Sequence, residues 1–233
     1  SYGGAVYVIP GADHADLGGG VGSFDVASFT GQAQTYFGAT SPLAGDNTGD
    51  GAADFVVAGG GYTRDGASLV LMFEGGGDVD GTLDPDDATL EVTSTGTTSG
   101  GTSGNRVLSN LDMDADGVDE VIYSQPDNTS GSRYGVGRVA VFDAGSLSAS
   151  VDLDHAVLLI DGESSQDYFG FGLGGGDIDG DGYDDLFVGA PGADDDATDG
   201  GAWYQVDGGN TWAGSLGIGD AESRTLTGET ASG

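Results

Sequence analysis

The chain has 233 residues, with 48 glycines, no cysteine and a formal net charge of −34. So much glycine disfavours a helical bundle and suits short strands joined by tight turns. The missing cysteine excludes disulfide frameworks and thiolate metal sites, and the charge disfavours nucleic acid and anionic membranes as partners while attracting cations. No apolar run approaches the roughly 20 residues of a membrane-spanning helix, so no membrane span is expected in this chain.

Short apolar or alternating segments, separated by clusters of Gly, Asp, Ser and Thr, recur along the chain and predict strands. In chain order we expect strands at 3–9, 27–32, 55–60, 66–73, 90–96, 121–126, 137–142, 158–164, 186–191, 200–206 and 225–230. The segments 74–87 and 94–104 have loop-like compositions. These elements predict an all-β protein.

Three Asp-rich nonapeptides recur at a nearly constant spacing. We name them loop 1 (DNTGDGAAD, 46–54), loop 2 (DMDADGVDE, 112–120) and loop 3 (DIDGDGYDD, 177–185), and their first residues lie 66 and 65 residues apart. Each is followed by an apolar strand and then by a strand led by glycine. Four short strands and one tight loop per unit are typical of a β-propeller blade. A sandwich with coincidental Asp turns is the alternative.

The repeats divide the chain into four parts. Residues 1–32 form the second half of a repeat, and repeats 1, 2 and 3 span 33–96, 97–164 and 165–233. The expected fold is therefore a partial β-propeller over 1–233, built from four-stranded blades.

The loops have the composition of calcium sites. Calcium takes six to eight oxygen ligands at about 2.3–2.6 Å, and acids at loop positions 1, 3 and 5 converge when glycine at position 6 permits a sharp turn. Loop 3 offers Asp177, Asp179, Asp181 and Asp185, with the carbonyl of Tyr183 as a further donor. Loop 2 offers Asp112, Asp114, Asp116 and, at position 9, Glu120. Loop 1 offers Asp46, Asp50, Asp54 and, in place of an acid at position 3, Thr48.

The ligand sets predict up to three Ca²⁺ ions, bound most strongly in loop 3 and most weakly in loop 1. An EF-hand would need a bidentate Glu at position 12 and flanking helices. Position 12 is instead Val57, Tyr123 or Val188, each within a predicted strand. Magnesium is disfavoured because it retains its waters, whereas these loops offer many protein oxygens.

Repeat 3 resembles the FG-GAP repeat, which builds the seven-bladed propeller of integrin α subunits and of many microbial surface proteins. The matching segments are Tyr168-Phe169-Gly170, loop 3, Val188-Gly189-Ala190-Pro191 and Gly201-Ala202-Trp203-Tyr204. The resemblance implies that calcium is bound by positions 1, 3, 5 and 9 and by the position-7 carbonyl, which here belongs to Ala52, Val118 or Tyr183.

The earlier repeats depart from this pattern. Repeat 2 has Thr102-Ser103-Gly104 in place of the FG segment, and the GAP segment becomes Ala58-Gly59-Gly60 in repeat 1 and Ser124-Gln125-Pro126 in repeat 2. Three and a half repeats also fall short of a seven-bladed ring. We therefore expect this chain to be a fragment of a longer protein or to assemble with further blades from another chain.

The resemblance implies an adhesion or recognition scaffold, extracellular or at the cell surface, with a protein or glycan partner and structural calcium. The expected partner surface lies opposite the calcium loops. An enzyme is not expected, because Lys and Cys are absent and the only two histidines, His14 and His155, lie in no catalytic motif.

Two alternatives and one further expectation remain. The chain could be a carbohydrate-binding module, with Tyr134, Trp203, Tyr204 or Trp212 stacking on sugars, or a non-catalytic part of a secreted enzyme. The net charge of −34 would fall only to −28 with three calcium ions, each of charge +2. Because molar salt shortens the Debye length to about 3 Å and weakens self-repulsion, we expect a halophilic or marine source.

Overall fold

The structure is a computed structural model. It describes residues 5–8, 27–30, 43–58, 68–76, 82–83, 85–94, 105–147, 149–193, 200–210, 214–220 and 223–227. In this part of the chain, no helix is long and apolar enough to cross a membrane.

Seventeen strands and four short 3-10 helices are described. The strands are β1 (Ala5–Val8), β2 (Ala27–Thr30), β3 (Leu43–Gly45), β4 (Asp54–Ala58), β5 (Ser68–Phe73), β6 (Thr82–Leu83), β7 (Leu90–Ser94), β8 (Arg106–Leu108), β9 (Val121–Ser124), β10 (Arg138–Phe142), β11 (Ala149–Asp152), β12 (Leu158–Asp161), β13 (Gly172–Gly176), β14 (Asp185–Ala190), β15 (Ala202–Val206), β16 (Gly214–Gly217) and β17 (Ser223–Thr227). The 3-10 helices are Pro85–Asp87, Ala144–Ser146, Leu153–His155 and Ile218–Asp220.

Twelve of the strands form three blades, each a four-stranded antiparallel sheet. The first blade is β3-β4-β5-β7, the second is β8-β9-β10-β12 and the third is β13-β14-β15-β17. The predicted all-β fold of propeller blades is confirmed. Closure of the blades into a ring and the exact repeat boundaries stay predictions.

Each repeat also adds a strand to the sheet of the preceding repeat, which the sequence did not predict. Strand β11 adds in parallel to β7 of the first blade, and β16 adds in parallel to β12 of the second. A two-residue strand, β6, pairs in the same way with β2. The prediction of a loop over 74–87 was therefore wrong in part, because β6 and the 3-10 helix Pro85–Asp87 lie within it.

Two of the three hydrophobic clusters in the described part of the chain lie between successive blades. One cluster joins the second and third blades and includes Ile122, Val139, Ile160, Leu186, Val188 and Tyr204. Another joins the first and second blades and includes Val56, Val70, Val92, Tyr123, Ala140 and Phe142. Strand β9 contributes to both clusters, so all four of its residues are buried and its sequence shows no alternation.

The FG and GAP segments of the third blade contact each other. The Gly170 N–H donates to the Gly189 carbonyl at 3.0 Å, and the Ser124 hydroxyl of the second blade donates to the Gly170 carbonyl at 2.7 Å. Phe169 is buried, with its ring edge-on to Tyr204 at 5.6 Å between centroids. These segments therefore attach the third blade to the second.

Candidate metal centres

All three Asp-rich loops lie at the same place in their blades, between the first and second strands. Loop 1 joins β3 to β4, loop 2 joins β8 to β9, and loop 3 joins β13 to β14. Because each second strand lies next to the third in a buried sheet, the end of each loop is anchored.

The same hydrogen bonds shape each loop around its position-1 carboxylate. The Asp46 carboxylate accepts the N–H groups of Asp50 and Gly51, at 3.1 and 2.9 Å. In loop 2, the Asp112 carboxylate accepts those of positions 5 and 6, both at 3.0 Å. In loop 3, Asp177 does the same at 3.1 and 3.2 Å. One turn geometry is therefore present in three copies.

Position 6 has a backbone conformation that favours glycine. The φ angles of Gly51, Gly117 and Gly182 are 88°, 92° and 95°, a region costly for residues that carry a Cβ atom. One residue later, the position-7 N–H donates to the position-5 carboxylate at 2.8, 2.8 and 3.0 Å in loops 1, 2 and 3. The sharp turn predicted at position 6 is therefore present in all three loops.

The acids at positions 1, 3 and 5 converge in two of the loops. Ligand oxygens of Asp112, Asp114 and Asp116 lie within 4.8 Å of one another, and those of Asp177, Asp179 and Asp181 do the same. Such clusters of hard oxygen donors can hold a metal ion, and their chemistry suits calcium.

Loop 1 has a different donor set because Thr48 replaces the third acid. The Thr48 hydroxyl oxygen is buried and has no hydrogen-bond partner within the described residues. A buried polar atom without a partner is costly, and a bound cation or water would satisfy it. The donors of loop 1 therefore fit a cation, with one charge fewer than loops 2 and 3 have at these positions.

Loops 2 and 3 differ in exposure. All three clustered acids of loop 3 are exposed, whereas Asp112 and Asp114 of loop 2 are half-buried. Burial raises the pKa of Asp114, and the nearby charge of Asp116 raises it further. A cation bound in loop 2 would therefore offset both effects at Asp114.

The position-9 acids do not belong to these clusters. They are Asp54, Glu120 and Asp185, each no more than 1% exposed. The Asp54 carboxylate accepts the N–H groups of Asn47 and Gly75, at 2.9 and 2.8 Å respectively. Asp185 accepts those of Ile178 and Gly208, at 3.3 and 3.0 Å. The position-9 aspartates therefore bind the loop to the turn after the third strand, and their role as ligands stays a prediction.

Glu120 makes a different version of this contact. Its carboxylate accepts the Met113 N–H at 2.6 Å, and burial raises its pKa to about 8. The turn residue aligned with Gly75 and Gly208 is Ala144, which begins a 3-10 helix. An added Cβ atom would lie 2.0 Å from the Ala53 carbonyl oxygen at Gly75 and 2.4 Å from that of Asp184 at Gly208. Glutamate thus replaces aspartate at position 9 in repeat 2, which has alanine instead of glycine at this turn position.

The histidines and the aromatic candidates lie outside the three loops in sequence. Tyr204 is buried and Trp203 is 47% exposed, as expected if one of the two faces the core. His155 lies in the 3-10 helix Leu153–His155, and its ring contacts the Asp152 carboxylate at 2.9 Å. His14 and Trp212 lie outside the described residues. The position-7 carbonyls of Ala52, Val118 and Tyr183 stay predicted ligands.

Part of the sequence is similar to known proteins. Residues 169–204 match the FG-GAP repeat family. The chain is also 38% identical over 92 residues to integrin alpha-PS2 of Drosophila melanogaster, a match that covers 36% of this chain and 6% of the relative. It therefore spans only a small part of that relative's length. The chain contains an FG-GAP repeat and is integrin-α-like over the matched part of its sequence.

Proposed function

We propose that this chain is a calcium-binding FG-GAP scaffold for adhesion or protein recognition, acting outside the cell or at its surface. The observation that carries the proposal is the turn geometry shared by three loops, two of which bring three carboxylates within 4.8 Å. The FG-GAP match and the similarity to an integrin α subunit favour a scaffold over an enzyme.

Calcium would have a structural role in this function. A cation between the carboxylates offsets their repulsion and holds the hairpin formed by the first two strands of the blade. Extracellular calcium modules bind with a Kd of about 10⁻⁴–10⁻³ M, which matches extracellular rather than cytosolic calcium. At a hundredfold excess over Kd, each occupied site would stabilise the fold by about 2.7 kcal/mol.

Calorimetric titration of the chelated chain with calcium, paired with melting curves, tests this proposal. We expect binding at up to three sites and a clear rise in Tm with calcium, but little rise with magnesium at the same concentration. The variant Asp179→Asn, which removes one carboxylate of loop 3, should lose part of the calcium response. A calcium-independent Tm without detectable binding heat would contradict the proposal.

The proposed partner is a protein or a glycan at the cell surface. A glycan is a second candidate because Trp203 is 47% exposed and its indole packs on the two strand glycines Gly172 and Gly189. A flat, exposed aromatic ring is suited to stacking on sugars. Binding to a glycan array that is lost in Trp203→Ala would favour a carbohydrate-binding module, or a non-catalytic part of a secreted enzyme.

Assembly with further blades belongs to the same proposal. We expect the chain to complete its propeller with more repeats, either from a longer protein or from another chain. Sedimentation of the 233-residue chain distinguishes the two. A dimer mass would favour completion between chains, and a monomer mass would favour a longer protein.

The proposed environment is saline. The chain carries 39 acids against 5 arginines and no lysine, and salt weakens the resulting repulsion. With calcium kept saturating, dilution from molar salt should therefore lower Tm. Stability that does not change on dilution would argue against a halophilic or marine source.

A further inference from the structure

Adjacent loops are joined by a pair of hydrogen bonds between blades. The Asp119 carboxylate, at position 8 of loop 2, accepts the Asp46 N–H at 2.9 Å. In return, the Asp119 N–H donates to the Asp46 carbonyl at 2.8 Å. Asp119 therefore binds both the backbone N–H and the backbone carbonyl of Asp46, the first residue of loop 1, from 73 positions away.

The same pair recurs one blade further along. The Asp184 carboxylate, at position 8 of loop 3, accepts the Asp112 N–H at 3.1 Å, and the Asp184 N–H donates to the Asp112 carbonyl at 3.1 Å. Because the same donors, acceptors and loop positions occur in two independent copies, this contact is a regular part of the packing between these blades. We name each pair of bonds a clasp.

The clasped residue is the one on which the loop geometry depends. The Asp46 carboxylate accepts two N–H groups of its own loop, from Asp50 and Gly51. The clasp fixes the backbone on both sides of that side chain and so the direction of its Cα–Cβ bond, and the two loop N–H groups then orient the carboxylate. Losing the clasp would let position 1 rotate away from positions 3 and 5.

We propose that Asp119 and Asp184 are positioning residues for the cation loop of the preceding blade, so that each loop prepares the site before it. This inference rests on the proposed binding of calcium by the loops. Asp119 directly precedes Glu120, at position 9 of loop 2. Ordering of loop 2 by its own ion would therefore order the clasp and raise the affinity of loop 1. By linkage, an ion in loop 1 would favour binding in loop 2 to the same extent.

The clasp also places acidic groups of different loops near one another. Asp119 is half-buried, and the carboxylates of Asp112, Asp184 and Asp46 lie close enough to repel its negative charge. These charges come from all three loops. A cation bound in one loop would therefore reduce repulsion that acts on its neighbours, in the same direction as the clasp.

Site-resolved NMR titration with calcium tests the proposal. The amide signals of Gly51, Gly117 and Gly182 report separately on loops 1, 2 and 3, because each N–H donates to the position-1 carboxylate of its own loop. We expect Asp119→Ala to raise the calcium midpoint of Gly51 about fivefold, as suits the loss of one hydrogen bond. The midpoint of Gly182 should not change.

Two further variants separate the clasp from charge and from overall stability. Asp119→Asn keeps an acceptor oxygen but loses the charge. Its Gly51 midpoint should stay within about twofold of the wild type, because the hydrogen bond contributes more to the clasp than the charge does. Asp184→Ala should transfer the effect to Gly117. It also repeats the test one blade along if Asp119→Ala does not fold.

The outcomes distinguish this inference from the proposed function. Absence of calcium-dependent shifts at all three glycines of the wild type would overturn both. Normal shifts in the wild type, with an unchanged Gly51 midpoint in Asp119→Ala, would overturn the clasp alone. Equal changes at all three glycines would show a general loss of stability and would also overturn it.

Discussion

Loops 2 and 3 have nearly the same sequence pattern but different surroundings. In loop 2, Met113 at position 2 is fully buried in the core between the second and third blades. In loop 3, the matching residue Ile178 is 58% exposed. The Asp112 backbone is clasped by Asp184, whereas no clasp to Asp177 is made within the described residues. The loop pattern thus sets the turn, and the neighbouring blade determines how far the loop is covered.

This difference bears on the predicted order of affinities. The sequence placed loop 3 first because it has four aspartates at ligand positions. The structure adds that loop 2 is more enclosed and is clasped from the next blade, which favours ordered ligands before an ion binds. A count of ligands alone does not include this effect, so the order stays a prediction.

The largest expected effect comes from breaking the contact between blades at Gly45. A Cβ atom there would lie 1.6 Å from the Ser109 carbonyl oxygen and 2.6 Å from the Asp119 carboxylate. Gly45→Ala should therefore cost more than about 3 kcal/mol, because backbone atoms must move. Urea unfolding in saturating calcium measures the change. Gly174→Ala is the matched control, since a Cβ atom there meets nothing within 4 Å, and equal losses in both variants would contradict the explanation.

A second prediction compares position 2 directly. Met113→Ala should destabilise the chain by about 3 kcal/mol through a cavity between two blades. Ile178→Ala should change stability by less than about 0.5 kcal/mol, as is usual for exposed sites. Chemical unfolding of both variants measures the difference. A large loss in Ile178→Ala would show that this face is covered in solution, for example by a second copy of the chain.

Much of the fold could be predicted because its signals are local. The second, third and fourth strands of the blades were placed within a few residues, since apolar runs and β-branched residues mark them. The first strands β3, β8 and β13 were expected only from the count of four strands per unit, and their positions were not predicted. Strand β13 reads GLGGG, a composition without the side chains that mark a strand.

The site was predictable only in part. Convergence at positions 1, 3 and 5 follows from the loop pattern and is present in loops 2 and 3. The clasps could not be predicted from one sequence, because each joins residues more than 70 positions apart. The only available signal was an extra aspartate at position 8 of loops 2 and 3. The added parallel strands were missed for the same reason, since pairing between blades depends on tertiary contacts.

A third prediction separates structural from ligand roles within loop 3. Asp185→Ala removes the acceptor for two backbone N–H groups and for the Gln205 side chain at 3.2 Å. It should lower stability by about 2 kcal/mol even in a chelator, because buried donors lose their partner. Asp179→Ala, at an exposed position, should leave the chelated chain unchanged and reduce only the calcium-induced rise in Tm. Melting curves with and without calcium distinguish the two, and equal behaviour would contradict the separation.

The smallest expected effect concerns position 4, where the loops differ in backbone strain. Ala115 of loop 2 has a φ of 59°, whereas loop 3 has Gly180 at 81°. Since a Cβ atom in this region costs about 1 kcal/mol, Ala115→Gly should stabilise the chelated chain by up to that amount, and Gly180→Ala should destabilise it by a similar amount. Matched urea unfolding curves measure both changes. A loss of both stability and calcium affinity in Ala115→Gly would contradict this prediction. It would show that Ala115 stabilises the chain by restricting the unfolded loop more than its positive φ destabilises the folded loop.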